Sequence, residues 1–150
     1  MAATGDKVPD FKLSTFEGDE ITPESLAGKR SIICFYPFAF SGVCTEQFGV
    51  YQADIDKFKE RGVDIYAVSV DSTFAQNEFK NKLGVTDITF AADFEPKGAV
   101  AQAFDTYREQ GFSDRSVYEI KPDGTIGWAI KMDTPGEFPD TETVLAGLDA

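Results

Sequence analysis

Apolar and polar positions along the chain predict a set of buried central strands. Residues 31–36 and 63–70 are nearly continuous apolar runs with β-branched and aromatic members. Runs of this kind are typical of strands that are buried on both faces. Residues 88–92 form a third, shorter run, which we also expect to be a strand.

Two further pairs of segments predict hairpins. Residues 116–120 and 125–130 alternate with a period of two on either side of a Lys-Pro-Asp-Gly turn at 121–124. Such a pattern is a strong hairpin signal. Near the N-terminus, residues 8–13 lead into a short strand, and residues 20–21 return as a second one. We therefore expect one small hairpin early in the chain and one larger hairpin late in it.

The longest amphipathic segment follows the first central strand. Its apolar positions are spaced four, three, four and three residues apart, as on one face of a helix: Cys44, Phe48, Tyr51, Ile55 and Phe58. Basic residues gather near residue 61, and Gly62 is a typical helix stop. The pattern predicts one helix over residues 44–61.

Capping signals predict four more helices. Thr22 precedes a proline and predicts a single helical turn, and one of residues 71–73 caps a helix that stops at Gly84. A short helix is expected over residues 98–104, and Asp140 is expected to cap a final helix.

The order of these elements indicates an α/β fold. Strand-helix-strand units imply a parallel portion of the sheet, and the late hairpin adds antiparallel strands. We predict a mixed central β-sheet with helices on both faces and a small N-terminal β-hairpin. A thioredoxin-like fold is one arrangement of this kind. At 150 residues the chain is most simply one domain, residues 1–150.

Composition narrows the possible functions. The net charge is −12, from 26 acidic and 14 basic residues, which argues against nucleic acid and anionic membrane surfaces as partners. No apolar run is long enough for a membrane span and no signal-like segment follows Met1, so we expect a cytoplasmic protein. The chain has no histidine, which excludes Ser-His-Asp and Cys-His catalysis.

Cys44 is the strongest candidate for chemistry. It falls in the first turn of the predicted long helix, where unpaired backbone N–H groups favour a thiolate. The alternative is structural, because free cysteine is often buried as a small apolar residue and Cys44 lies on the apolar face.

Several kinds of cysteine site are excluded by neighbouring residues. A dithiol oxidoreductase would need a second cysteine at position 41 or 47, and these are Ser41 and Gln47. A phosphate-binding Cys-x5-Arg loop would need arginine at Val50. A structural zinc site needs about four soft ligands and the chain has two cysteines, so we expect no metal and no cofactor.

Of the cysteine chemistries considered, a thiol that reduces peroxide remains compatible with these residues. Ser41 and the N–H groups at the helix start could hold the peroxide, and Pro37 could cover the sulfur.

Pro37-x-x-x-Ser41-x-x-Cys44 resembles the active-site motif of the peroxiredoxins. The resemblance runs nearly end to end and includes the segments at 8–11, 68–72 and 92–94. Arg115, just before the strand at 116–120, matches the position of an arginine with a role in that family. Within that family the chain resembles the one-cysteine type similar to alkyl hydroperoxide reductase E, judged from residues 35–42 and 133–137.

This resemblance implies a mechanism and a set of roles. Cys44 would be the peroxidatic thiolate, which attacks a hydroperoxide and becomes a sulfenic acid. Ser41 would orient the peroxide, Arg115 would stabilise the thiolate and the leaving oxygen, and Pro37 would shield the thiol. Read from the sequence without that resemblance, Arg115 would be a surface arginine paired with Asp114 or Glu119. Ser41 would be a helix cap, which is compatible with its catalytic role.

The recycling step depends on other thiols. Some family members carry a resolving cysteine five residues along the helix, where this chain has Gly49, and others carry one in a C-terminal extension. Cys34 is expected to be a buried small apolar residue in its strand. We therefore expect an external thiol reductant: a thioredoxin-, glutaredoxin- or mycoredoxin-like protein or a small thiol.

Many members carry glutamate where this chain has Gln47, which adds no charge to the hydrogen-bond network around Arg115. The resemblance also implies a homodimer beside the loop that contains Phe38.

Two other functions are compatible with the sequence. A peroxide sensor or redox relay would pass the oxidation of Cys44 to a partner protein. A non-catalytic thioredoxin-like binding module would keep Cys44 buried and inert.

Overall fold

The computed structural model describes residues 2–150, which form a mixed seven-stranded sheet. In chain order the strands are β1 (Leu13–Ser14), β2 (Glu20–Ile21), β3 (Arg30–Phe35), β4 (Val63–Ser69), β5 (Ile88–Ala92), β6 (Ser116–Ile120) and β7 (Ile126–Lys131). Their order across the sheet is β2-β1-β5-β4-β3-β6-β7. Strands β3, β4 and β5 are parallel, and the remaining pairs are antiparallel. This is the mixed sheet with an N-terminal hairpin that the pattern predicts.

Helices cover both faces of the sheet. They are α1 (Pro23–Leu26), α2 (Gly42–Ala53), α3 (Ile55–Lys59), α4 (Thr73–Leu83), α5 (Ala99–Ala103) and α6 (Thr141–Asp149). Side chains of β3 alternate between two cores, with Ile32 and Cys34 on one face and Ile33 and Phe35 on the other. Helices α2, α3, α4 and α6 pack in the first core, and α1 and α5 pack in the second. The first core contains Cys44.

The helix ends follow the capping signals. Thr22 and Ser25 form a reciprocal capping box at α1. Of the three candidates at 71–73, Ser72 is the N-cap of α4, and its side chain accepts the amide of Ala75 at 3.2 Å. Gly84 ends α4 in the left-handed conformation (φ 68°), which glycine adopts without a Cβ clash. Asp140 caps α6 as predicted.

The single helix predicted over residues 44–61 is wrong. The structure has two helices instead, and between them Asp54 leaves the helical conformation (φ −98°, ψ 17°). The Asp54 carboxylate accepts a hydrogen bond from the hydroxyl of Thr141 at 2.6 Å, at the first residue of α6. A tertiary contact therefore interrupts a segment whose apolar spacing alone favours continuity. Across residues 2–150, no helix combines the length and the apolar character needed to span a membrane.

Candidate active site

Cys44 lies where β3 leads through a short loop into α2. Pairing with β4 continues one residue past β3, since the Tyr36 amide donates to the carbonyl of Val68 (3.0 Å). Pro37 follows and is buried, and Ser41 adopts the extended conformation of an N-cap (φ −69°, ψ 150°). Cys44 is therefore the third residue of the helix, in its first turn, as predicted. The N–H groups of this turn lack partners inside the helix and favour a negatively charged sulfur.

Phe40 holds the loop in an uncommon backbone conformation. Its φ is 70°, in the left-handed region that bulky residues rarely occupy. Its ring packs edge-on against Phe79 of α4, with the ring centroids 5.3 Å apart. Such a conformation costs on the order of 1–3 kcal/mol and persists only where surrounding contacts require it.

Arg115 contacts the sulfur directly. Cys44 has no exposed surface and Arg115 is 2% exposed. The guanidinium donates from Nη2 to the Cys44 Sγ at 3.2 Å. The antiparallel register explains the approach, because Phe35 of β3 pairs with Ser116 of β6. Arg115, one residue before that pair, therefore lies at the end of β3 from which the loop departs.

The other guanidinium nitrogens are also bound. Nη1 of Arg115 donates to Gln47 Oε1 at 2.7 Å, and Nε donates to the carbonyl of Pro135 at 3.0 Å. Gln47 in turn donates to the Tyr51 hydroxyl (3.3 Å), which donates to the carbonyl of Pro139 (2.6 Å). Burial raises the pKa of Tyr51 well above its ordinary value, opposed by the Gln47 hydrogen bond and the Arg115 charge. The phenol is therefore a neutral donor in this network.

Arg115 is not the surface arginine that its flanking residues suggest. Asp114 pairs with Arg108 at 3.1 Å, and Glu119 pairs with Arg30 at 2.7 Å. The two neighbouring carboxylates therefore face other cations. Gln47, an uncharged residue in place of glutamate, nevertheless keeps a short hydrogen bond to the arginine.

Ser41 is an N-cap by backbone geometry only. Its hydroxyl makes no capping hydrogen bond, and Thr45 instead donates its own hydroxyl to the Ser41 carbonyl at 2.9 Å. The Ser41 Oγ is buried and has no hydrogen-bond partner among residues 2–150. A buried hydroxyl without a partner is costly in a folded protein unless it serves another purpose. This hydroxyl is therefore available to a molecule that enters the loop.

Cys34, the second thiol, is buried in surroundings that make it unreactive. It lies in β3 with no exposed surface, unpaired with Cys44, although both belong to the same core. Burial raises the pKa of the Cys34 thiol far above its ordinary value. The prediction of a buried small apolar residue is confirmed.

The site therefore combines a thiol, a guanidinium, a helix N-terminus and a free hydroxyl. This set can hold a thiolate and can stabilise negative charge on an oxygen that leaves a reaction at sulfur. As for metals, the described part of the chain has no group of three or more His, Cys, Asp or Glu side chains placed to hold an ion.

Sequence reasoning missed the carbonyl acceptors of Pro135 and Pro139, because any residue offers a carbonyl and no side-chain type signals it. The apolar spacing places Tyr51 on the buried face of the helix, and its hydroxyl is the one sign of a polar partner. Nothing in the sequence signals that the Ala39 amide donates to the Asp71 carboxylate, because an aspartate at this position fits equally well as a cap of the next helix.

Comparisons with known proteins agree on one family. The model of the AhpC/TSA family matches residues 4–129. Alkyl hydroperoxide reductase C of Amphibacillus xylanus is 32% identical over 156 residues, which cover all of this chain and 82% of the relative. The protein of the same name from Bacillus subtilis is 34% identical and covers 84% of this chain and 70% of the relative.

Solved structures show the same fold. Enterococcus faecalis AhpC aligns with a TM-score of 0.89 at 27% identity, over 99% of this chain and 92% of that one. Reduced Prx3 of Vibrio vulnificus in complex with H₂O₂ aligns with a TM-score of 0.84 at 27% identity, over 99% and 97% of the two chains. The predicted thioredoxin-like α/β fold is confirmed.

Proposed function

This chain belongs to the AhpC/TSA family and is a peroxiredoxin, a thiol-dependent peroxidase, and from that premise we propose that Cys44 is its peroxidatic residue. The observation that carries the proposal is the 3.2 Å contact from the Arg115 guanidinium to the Cys44 sulfur, inside a buried site at a helix start. Cations and helix N-termini both favour thiolate over thiol.

The proposed reaction begins with attack by the Cys44 thiolate on one oxygen of the hydroperoxide. The S–O bond forms as the O–O bond breaks, giving a sulfenic acid and a leaving hydroxide from H₂O₂, or an alkoxide from an organic hydroperoxide. The leaving oxygen takes up the proton that Cys44 lost on ionisation and departs as water or an alcohol. Arg115 stabilises the thiolate and the charge that develops on the leaving oxygen. The unpaired hydroxyl of Ser41 orients the peroxide, and Pro37 covers the sulfur.

We propose further that an external thiol resolves the sulfenic acid, as in the one-cysteine type that resembles alkyl hydroperoxide reductase E. Within these 150 residues the other thiol is Cys34, whose burial and raised pKa oppose attack on Cys44. A thioredoxin-, glutaredoxin- or mycoredoxin-like protein or a small thiol would form a mixed disulfide with release of water. A second thiol would then restore Cys44.

The homodimer expected beside the loop stays a prediction. Phe38 and Phe40 are 41% and 51% exposed, and they are the loop side chains that such a contact would use. Exposed apolar groups of this size are compatible with a protein contact.

The test measures how fast reduced protein loses thiol to stoichiometric hydrogen peroxide, with Cys44→Ser and Cys34→Ser beside it. We expect rapid loss, far faster than that of free cysteine, in the parent and in Cys34→Ser, and none of it in Cys44→Ser. Mass spectrometry should then find one added oxygen, and a small thiol should convert it to a mixed disulfide.

Two results would contradict these proposals separately. Rapid loss that persists in Cys44→Ser would remove the peroxidatic role of Cys44. A Cys34–Cys44 disulfide, seen as a loss of two hydrogens from the intact protein, would leave that role in place and overturn external resolution.

A further inference from the structure

Asp71, which follows β4, joins the sheet to the loop that carries Cys44. Its Oδ2 accepts the backbone amide of Ala39, in the middle of the loop, at 2.7 Å. The loop's own hydrogen bond, from the Ser41 amide to the carbonyl of Phe38, is longer at 3.4 Å. Hydrogen bonds to an ionised carboxylate are roughly twice as strong as those between neutral groups. Asp71 is therefore the stronger restraint on the middle of the loop.

Buried hydrogen bonds fix the orientation of this carboxylate. The hydroxyl of Ser69 donates to the same Oδ2 of Asp71 at 2.7 Å. Gln76 of α4 donates from Nε2 to the Ser69 hydroxyl and to the carbonyl of Ala91, both at 2.9 Å. Ser69 and Gln76 are each 1% exposed. A continuous series of hydrogen bonds thus connects the loop to β4, β5 and α4.

The residue that follows Ala39 explains why a restraint is needed. Phe40 occupies the left-handed region, and a bulky residue leaves that region unless its surroundings hold it there. Two contacts hold the backbone of Phe40 in this conformation. One is the hydrogen bond from the preceding residue, Ala39, to Asp71, and the other is the packing of the Phe40 ring on Phe79. Helix α2 begins directly after this point. The direction of its first N–H groups therefore depends on how Ala39 and Phe40 are held.

We propose that Asp71 is a positioning residue for the peroxide reaction, which acts through Ala39 to keep Ser41 and the first turn of α2 directed at the Cys44 sulfur. This inference rests on the proposed role of Cys44. It is independent of Arg115, which reaches the sulfur from the position just before β6. Because the Arg115 hydrogen bond to the sulfur stays in place, we expect loss of Asp71 to affect how the peroxide is held more than it affects the thiolate itself.

The experiment compares two reactions of the same sulfur in Asp71→Ala. One is oxidation by hydrogen peroxide, which needs the loop donors, and the other is alkylation by iodoacetamide, which needs a thiolate that the reagent can reach but not the loop donors. We expect the peroxide rate constant to fall by about 10- to 100-fold, in the range that small misplacements of a reacting group produce. The alkylation rate constant should change by less than about threefold.

Three further variants accompany it. Asp71→Asn keeps an oxygen that can accept the Ala39 amide, and it should recover part of the loss. Ser69→Ala removes one support of the carboxylate and should cause a smaller loss in the same direction, so that the test stands even if Asp71→Ala does not fold. Asp87→Ala is the matched control, because Asp87 is a carboxylate that accepts several hydrogen bonds at the amino end of β5.

Equal losses in both reactions, or a peroxide rate within twofold of the parent, would overturn the role of Asp71. Cys44→Ser separates this failure from that of the proposed function. If its peroxide reaction equals that of the parent, the error lies in Cys44 and not in Asp71.

Discussion

The side chain of Arg115 shows how much one residue contributes to this site. Its three nitrogens donate to three different acceptors, on a sulfur, a side-chain amide and a backbone carbonyl: Cys44, Gln47 and Pro135. A planar guanidinium presents its donors in a fixed fork, whereas an ammonium group is a compact point charge. The geometry of the site therefore depends on the shape of this cation as well as on its charge.

Arg115→Lys separates these two properties. We expect the second-order rate constant with peroxide to fall by about 10²-fold, because a lysine keeps the charge but cannot satisfy three acceptors in these directions. Stopped-flow or competition kinetics would measure it. Arg108→Lys, which affects an arginine paired with Asp114 outside the site, should stay within twofold. A rate in Arg115→Lys above half that of the parent would mean that charge alone suffices.

At the scale of elements, helix α2 carries the reacting residue and contains an exposed glycine. Gly49 lies in its interior with helical backbone angles, and a Cβ added there would meet no atom within 4 Å. Gly147 of α6 is also helical, but an added Cβ would overlap the ring of Trp128. Packing against Trp128 therefore requires a glycine at position 147, whereas no contact requires one at position 49. Substitution by alanine tests this difference.

We expect Gly49→Ala to stabilise the protein by about 1 kcal/mol, the usual difference between the two residues in a helix. Gly147→Ala should instead destabilise it by about 1–3 kcal/mol through overpacking. Urea unfolding would measure both. If exposure of Cys44 to a reductant requires α2 to open, Gly49→Ala should also slow reduction of the sulfenic acid and leave the peroxide step unchanged. Loss of stability in Gly49→Ala would show that its surroundings are tighter than the structure indicates.

Most elements could be predicted from sequence because their signals are local. Caps at Thr22 and Asp140, a left-handed stop at Gly84 and apolar runs for the central strands each depend on a few neighbouring residues. The break at Asp54 could not be predicted, since its partner Thr141 is distant in the chain. The same distinction holds in the site. The motif indicated Cys44, Ser41 and Pro37, and only the resemblance to a family indicated Arg115.

For the whole molecule, the sheet separates two cores, of which one contains the site. Phe48, one turn after Cys44, packs edge-on against Tyr36 with ring centroids 4.9 Å apart. On the opposite face, Phe104 packs against Phe35 at 5.4 Å. Both Phe48 and Phe104 are fully buried. The two phenylalanines are therefore equally buried, but Phe48 lies in the same core as the Cys44 sulfur and Phe104 lies in the core on the other face of the sheet.

Phe48→Leu and Phe104→Leu should each lower the free energy of unfolding by about 0.5–3 kcal/mol, the common range for single substitutions. We expect the peroxide rate constant to fall in Phe48→Leu, because that ring supports the turn of α2 that carries Cys44. Phe104→Leu should keep a rate within twofold of the parent. Denaturation curves and peroxide kinetics on the same samples would check both. Equal changes in rate would show that the sheet transmits disturbances between its faces.

The break at Asp54 has a consequence for how this enzyme could change over evolution. Because α2 ends there, an opening that exposes Cys44 to the proposed external thiol can be confined to the twelve residues of α2, while α3 and the strands stay in place. The free energy of that opening is then a property of one segment, distinct from the free energy that resists denaturation. Substitutions in α2 can adjust how fast the thiol is regenerated, while substitutions on the opposite face adjust tolerance to heat. Selection for turnover is therefore concentrated in α2, whereas selection for robustness can also act on the opposite face, away from the sulfur.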